Sequence, residues 1–541
     1  MSPTLKASKS GLAQIQQARN EKGWTVDDPR WLIEASKILS PEQDWSADSC
    51  YYAHGCSETT WKRFLRGIAI SSSTFKAFCQ VLELNWTEVF ADDLLTETQS
   101  YVVAQKQLNT NQYQDWGDAP DVPIFYGRTE ELTKLKHWIL NERCRLVTIL
   151  GMGGMGKTAL CVKLAQELQD KFEWMIWRSL RYITPGNDIL FNLIPSFSDD
   201  KFSPNSPVTN TLKPWQVLEF LRKHRCLIIL DNYETILRGG ELAGQYIPEY
   251  QQYGELIRLV GESNHHSCLV INTRENPQEI AMLSEDYFPV RYLKLNGLKL
   301  PEAQDLLQTQ GLSPQKESEK LIESYAGNPL ALKMVSHTIQ ILFQGNIWLF
   351  LTQGTLVIGD IFSNLLAEHF ERLSNLERNI IYCLAIQNKP LSIGELPEHI
   401  LINVAKSEYI EAMESLCRRC LLEKNIKNEQ LVFNLQLVVM KYATKQLVTQ
   451  VYSEIVDAIK THSVDRFDVL RNHQLISVDD RYPEIKTLQD NSIIRPIKNK
   501  LKTMFKDESR IEYNLHQLLI ILSERSANFV QYASKNIEHL L

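Results

Sequence analysis

The sequence has no run of about 18 uncharged apolar residues, so no membrane-spanning helix and no membrane partner are expected. It has no excess of positive charge. Its 58 Lys and Arg stand against 65 Asp and Glu, for a net charge of −7, so no overall basic field draws it to nucleic acid or an anionic bilayer. A local basic face remains open. It has no cysteine framework: ten cysteines lie scattered along 541 residues, as suits a reducing cytoplasm. Cys417 and Cys420 form a C-x-x-C inside the helical pattern YIEAMESLCRRCLLEK, with no second pair nearby, and a structural role is expected over metal or redox chemistry. The opening stretch, MSPTLKASKSGLAQ, lacks the apolar core of a secretory signal, which again points to the cytoplasm. No repeat period is visible, which excludes a solenoid or propeller within this chain. What is present is 44% hydrophobic and 23% charged, the mix of a folded protein, with chain enough for roughly three to five domains.

The stretch RLVTILGMGGMGKTALCVKL, residues 145–164, carries two phosphate signatures at once. Gly151, Gly153 and Gly156 spell G-x-G-x-x-G; Gly151, Gly156, Lys157 and Thr158 spell G-x-x-x-x-G-K-T. A dinucleotide fold needs an acidic residue at the end of its second strand to bind ribose. Here that strand, WMIWRSL, ends in Arg178 and Ser179, and the Lys-Thr pair has no task in such a fold. In a P-loop both have one. Glycines let main-chain amides turn onto phosphate oxygens, Lys157 reaches the β and γ phosphates, and the Thr158 hydroxyl is offered to Mg²⁺. The helix that follows points its positive end at the phosphates. Gly151, Met152, Gly153, Gly154, Met155, Gly156, Lys157, Thr158 and Ala159 are therefore the candidate nucleotide contacts.

A P-loop needs a further carboxylate for its metal. The apolar run CLIILDNYE ends in Asp231, the Mg²⁺ candidate beside Thr158; the plainer alternative is a helix cap. A third run, SCLVINTR, ends in Arg274, expected to touch a γ phosphate and report its loss; the plainer alternative is a solvated surface residue. With CRLVTIL, WMIWRSL and VRYLKL these make five continuous apolar runs, as expected of parallel strands buried on both faces. Helical patterns between them predict an α/β sheet.

The expected organisation follows from shifts in pattern. Residues 1–95 read as a small all-α unit and the polar stretch 96–120 as a linker. The P-loop domain spans 121–294, a helical domain 295–360, and a winged-helix domain 361–450 with the late strand pair CLLEKN and LVFNLQ. Residues 451–541 have helical apolar spacing, with Leu515, Leu518, Leu519 and Leu522 on one face. That stripe either finishes the winged-helix core or docks a separate partner.

With these motifs placed, the chain resembles the NB-ARC group of STAND-class P-loop ATPases, which are nucleotide-dependent signalling switches. FYGRTEEL is similar to the group's opening motif, whose arginine lies near the nucleotide, here Arg128. GMGGMGKT, LIILDN and INTR follow in the group's order, and YAGNPLALK resembles the motif whose proline packs on adenine, here Pro329. The layout is most like cyanobacterial members with a helix-turn-helix-like N-terminal segment and C-terminal repeat sensors. The resemblance implies an ADP-bound closed state, an ATP-bound self-associating state, Mg²⁺ as cofactor and protein partners. Two departures stand out. Many members place a second acidic residue directly after the metal-binding Asp to position the attacking water. Here it is Asn232, which takes no proton, so hydrolysis is expected to be slow; Glu234 is the nearby alternative base. The group's M-H-D histidine, which holds ADP, is matched by Gln436, which donates a hydrogen bond without a titratable charge.

In the N-terminal unit Ser57 is the expected cap of a helix carrying Lys62, Arg63 and Arg66, beside core residues Trp61, Phe64 and Leu65. Phe75, Phe78, Val81 and Leu82 have core spacing on the next helix. The basic residues make DNA contact through residues 57–66 the alternative function, a transcription regulator gated by nucleotide. Three basic residues alone give weak, salt-sensitive affinity, and protein interaction is the other use of such a unit.

Overall fold

The computed structural model describes residues 4–26, 28–40, 52–53, 56–68, 70–89, 112–181, 183, 213–284, 289–353, 359–402, 404–427, 429–476 and 483–541. The chain divides into two compact units, residues 1–111 and 112–541.

In the first unit, helices α1 (Lys9–Lys22), α2 (Arg30–Leu39), α3 (Glu58–Leu65) and α4 (Ser72–Val81) pack with a two-residue antiparallel pair, β1 (Thr4–Leu5) and β2 (Ile70–Ser71). The cap expected at Ser57 forms, and Ser71 caps the next helix in the same way. Ser57 Oγ accepts from the Thr60 amide at 3.2 Å, and Ser71 Oγ from the Thr74 amide at 3.3 Å. The helix of Lys62 closes before Gly67, whose φ of 70° suits glycine. Trp31 and Trp61 stack with centroids 4.9 Å apart, and each indole N–H reaches a main-chain carbonyl, of Thr25 and Val26 respectively. Phe64, Phe75, Phe78, Val81 and Leu82 are buried around them.

The second unit is built on a six-stranded parallel sheet in the order β3-β5-β6-β7-β4-β8. Its strands and helices alternate along the chain. β3 (Tyr113–Asp115) lies in the stretch expected as linker; residues 96–111 of that stretch fall outside the described residues. Then come α5 (Thr129–Lys136), β4 (Leu146–Leu150), α6 (Lys157–Leu168), β5 (Trp174–Ser179), α7 (Pro214–Lys223), β6 (Cys226–Asp231), α8 (Gln251–Glu262), β7 (Cys268–Thr273) and β8 (Val290–Lys294). All five apolar runs form strands. Every residue of β4, β6 and β7 is buried, which is why these runs do not alternate. β7 lies between β4 and β6, so its carboxyl end sits between the P-loop and Asp231.

Helices follow: α9 (Leu300–Thr309), α10 (Ser318–Ser324), α11 (Pro329–Phe343), α12 (Asp360–Glu371) and α13 (Asn375–Gln387). A three-stranded antiparallel sheet is made from β9 (Leu391–Ser392), β10 (Leu422–Lys427) and β11 (Gln430–Leu435), with α14 (Lys406–Arg418) inserted after β9. One apolar core runs from the P-loop sheet through α9, α11 and α12 to α13, α14 and β11. A single helix of 25 residues, α15 (Leu437–Thr461), crosses the boundary expected at residue 450. Its far half packs with α16 (Arg495–Phe505) and α17 (Glu508–Ser523) in a core that also takes Tyr382 and Ile386 of α13. Leu515, Leu518 and Leu522 are buried there, with Leu519 against them. No described helix is long and apolar enough to cross a membrane.

Candidate functional site

The loop between β4 and α6 turns back sharply because Gly154 and Gly156 adopt φ of 81° and 87°. A Cβ on Gly154 would also stand 2.8 Å from Asn328 Oδ1, so that position has no room for a side chain. Lys157 opens α6 and is buried, its Nζ donating to the carbonyls of Gly151 at 2.9 Å and Met152 at 3.3 Å. Burial holds its pKa below the usual lysine range; the carboxylates of Glu234 and Asp231 work against that shift and Arg274 adds to it. Met152 and Met155 are buried in the core beneath the loop.

Thr158, next along α6, donates its hydroxyl to Asp231 Oδ1 at 3.1 Å. Asn272, near the end of β7, joins them. Its Nδ2 donates to Thr158 Oγ1 at 3.0 Å and to Asp231 Oδ1, while its own Oδ1 is buried with no partner among the described residues. The Asp231 carboxyl is pushed up to about 6, chiefly by burial; the Thr158 and Asn272 hydrogen bonds oppose this and Glu234 reinforces it. Asn232 takes a left-handed φ of 56° and donates to Ser179 Oγ at 3.1 Å and Asp231 Oδ2 at 3.0 Å. Glu234, in the turn beyond, is bound on both oxygens by Arg274: Oε1 lies 3.0 Å from its Nε, and Oε2 accepts from its main-chain N–H at 3.1 Å. Arg274 then reaches Glu368 of α12 at 2.6 Å.

Arg128 is buried on a left-handed φ of 61°. It donates to the carbonyls of Met155 at 3.1 Å and Asn296 at 2.7 Å and pairs with Glu131 at 2.9 Å, so it braces the back of the loop. Pro329 stands at the first position of α11, half-buried. Its neighbour Asn328 caps that helix and donates to the Gly153 carbonyl at 3.0 Å. Gln436 precedes α15, and its Oε1 is buried with no partner among the described residues.

Four residues that sequence patterns did not single out thus belong to the cluster. Asn272 left a trace as the one amide in a largely apolar strand. Asn328 stands beside a proline that opens a helix, the usual place for a cap. Glu368 and His369 left none. His369, on α12, accepts from the Gly153 amide through Nε2 at 3.2 Å. Burial drives its pKa well below the usual value, and the charges of Arg274, Lys157, Arg372 and Arg419 drive it further. The ring is therefore neutral, and its lone pair accepts from the loop amide. In the first unit, Lys62 lies 3.7 Å from Glu58, and Arg63 and Arg66 are exposed.

Comparisons with known proteins bear on this cluster. An uncharacterized WD repeat-containing protein of Nostoc sp. is 38% identical over 586 residues, covering 99% of this chain and 45% of the relative. The chain thus spans less than half of that relative's length. A solved Walker-type ATPase of Pyrococcus abyssi is 16% identical, with a TM-score of 0.41, covering 59% of this chain and 96% of its own. The ADP form of the ORC2 protein of Aeropyrum pernix is 18% identical, with a TM-score of 0.32, covering 61% and 97%. At these scores both structural likenesses are remote. Residues 128–236, which hold Arg128, the P-loop, Asp231 and Glu234, are similar to the NB-ARC domain family.

Proposed function

We propose that this chain is an adenine-nucleotide-dependent signalling switch of the STAND NB-ARC kind, acting in the cytoplasm. It is closed with ADP, opens and self-associates with ATP, and hydrolyses ATP slowly. One observation carries the reading: the P-loop and Arg274 beyond β7 are met by groups from far along the chain, His369 and Asn328 on Gly153 and Glu368 on Arg274. Whatever occupies the loop must compete with, or add to, those contacts. That links occupancy to the placement of α11 and α12.

The donor set fits a magnesium nucleotide. A buried ammonium, a hydroxyl shared with a carboxylate and a left-handed glycine loop converge, and the orphaned Asn272 Oδ1 leaves an acceptor for water or a hydroxyl. In this reading residues 151–159 hold the phosphates with Lys157, Thr158 and Asp231 hold Mg²⁺, and Pro329 packs on adenine. Arg274 reads the γ phosphate, Arg128 braces the loop, and Gln436 takes the place of the phosphate-binding histidine. Bound Mg²⁺ supplies positive charge to phosphate oxygens. Asn232 supplies no base, and Glu234 is committed to Arg274, which supports slow turnover. The part built from α13, α14 and the three-stranded sheet acts as the winged-helix unit. ADP and ATP shift the equilibrium only through their different affinities for the closed and open arrangements. The Nostoc relative bears WD repeats, and in this reading repeats of that kind sense the signal. The deciding experiment is to denature purified protein and identify the released nucleotide by chromatography. Stoichiometric ADP supports the switch. Protein that carries no nucleotide and takes up none when ADP or ATP is added sinks it.

A further inference from the structure

Glu275 directly follows the sensor arginine and is buried. Two guanidinium groups meet on it. Arg372 places Nε 3.0 Å from Oε2 and Nη2 3.2 Å from Oε1, and Arg419 places Nη1 2.5 Å from Oε2. Arg372 is the residue that closes α12, and Arg419 closes α14. Arg419 also pairs with buried Glu377 of α13 at 3.0 Å. Two carboxylates and two guanidinium groups thus balance inside the protein, and they tie the end of β7 to three later helices. The spacing on α12 gives the tie a direction. Glu368, His369 and Arg372 lie at i, i+1 and i+4, on one side of a helix. Fixing Arg372 on Glu275 therefore also sets His369 on the Gly153 amide and Glu368 on Arg274.

Buried ion pairs are poor sources of net stability, since apolar side chains of similar volume hold a core as well. What they do provide is one orientation, because a desolvated guanidinium off its carboxylate is costly and rehydrates once the helix leaves. We propose that Glu275 is a positioning residue of the nucleotide site: through Arg372 and Arg419 it sets α12 against the P-loop and thereby controls how fast bound nucleotide leaves. This rests on the switch reading above.

The test uses the full chain and N-methylanthraniloyl-ADP, a fluorescent ADP, in two measurements. In a chase with unlabelled ADP, Glu275→Gln is expected to release the probe about 5- to 150-fold faster than wild type, the usual span of coupling between sites. Glu275→Asp is expected to keep most of the slow release. Hydrogen exchange on protein stripped of nucleotide is the second measurement, and residues 360–372 should exchange faster in Glu275→Gln. If that variant fails to fold, Arg372→Gln is read in the same way. Unchanged release and unchanged exchange overturn the role of Glu275, as does a lower melting temperature with wild-type release. A wild-type chain that binds no probe overturns the switch reading instead, and the exchange comparison still decides whether Glu275 positions α12.

Discussion

Lys157 is the only side-chain cation within the glycine loop and is already desolvated, so its removal strips charge from the place where phosphate charge must be met. Lys157→Ala is expected to lose nucleotide retention. Ligand held at about 100 times its dissociation constant stabilises by roughly 2.7 kcal/mol, so the variant should also melt lower in a thermal scan with ADP. Equal melting and equal nucleotide content in the two proteins would refute the assignment. Asn232 gives a second expectation. Its amide bridges Ser179 and Asp231, so Asn232→Asp puts a carboxylate beside Asp231 and within reach of the same space. Steady-state turnover, well below the typical 10 per second in wild type, is expected to rise by up to about 100-fold. An unchanged rate, together with loss of turnover in Glu234→Gln, would make Glu234 the base. At this scale the sequence was readable where neighbours in the chain are neighbours in space, as from Gly151 to Thr158. It was silent where they are not. Gly153 and His369 meet across 216 residues, and no spacing rule announces such a pair.

Secondary elements were legible to the degree that they bury apolar surface. The four interior strands announce themselves as continuous runs, and so does β8 at one edge, whereas β3, three residues at the other edge with a polar composition, reads as linker. Helix α11 shows how an element's end serves the site. Asn328 accepts from the amides of Leu330 and Ala331 at the start of that helix while its Nδ2 holds the Gly153 carbonyl. Asn328→Ala removes both. A lost cap costs about 1 kcal/mol, and the freed loop carbonyl adds to it. Chemical denaturation should register the loss, and nucleotide should be retained less well than in wild type; Asn328→Asp, which keeps the cap but has no donor for the Gly153 carbonyl, should recover stability without recovering retention. Wild-type retention in Asn328→Ala would separate the cap from the site.

Across the whole second unit, several buried histidines make stability depend on pH. His473 lies between α13 and the C-terminal helices, 2.7 Å from Asn379 Oδ1, and burial lowers its pKa to about 3. His265 is lowered to about 4, again mainly by burial. Above the ordinary value of 6.5 neither folded nor unfolded chain carries these protons, and the full stability is present. As pH falls below 6.5 the unfolded chain binds protons that the folded chain refuses, so stability drops progressively towards the folded values. The loss is about 2 kcal/mol per such histidine at pH 5. Melting temperature should therefore fall between pH 7 and pH 5, and less steeply in His473→Gln; an identical slope would show that the ring does not contribute.

The long helix α15 has a mechanical side. Twenty-five residues at about 1.5 Å each make a rod of about 37 Å. Its first turns, with Val438, Val439 and Tyr442, sit in the same core as the P-loop sheet, and its last turns sit among the C-terminal helices. A rod of that length is a lever: a tilt of about 10° at one end carries the other by about 6 Å, close to one helical pitch. In the proposed switch, a small rotation near the P-loop would be delivered to the far end of this helix as a displacement large enough to change which side chains interlock.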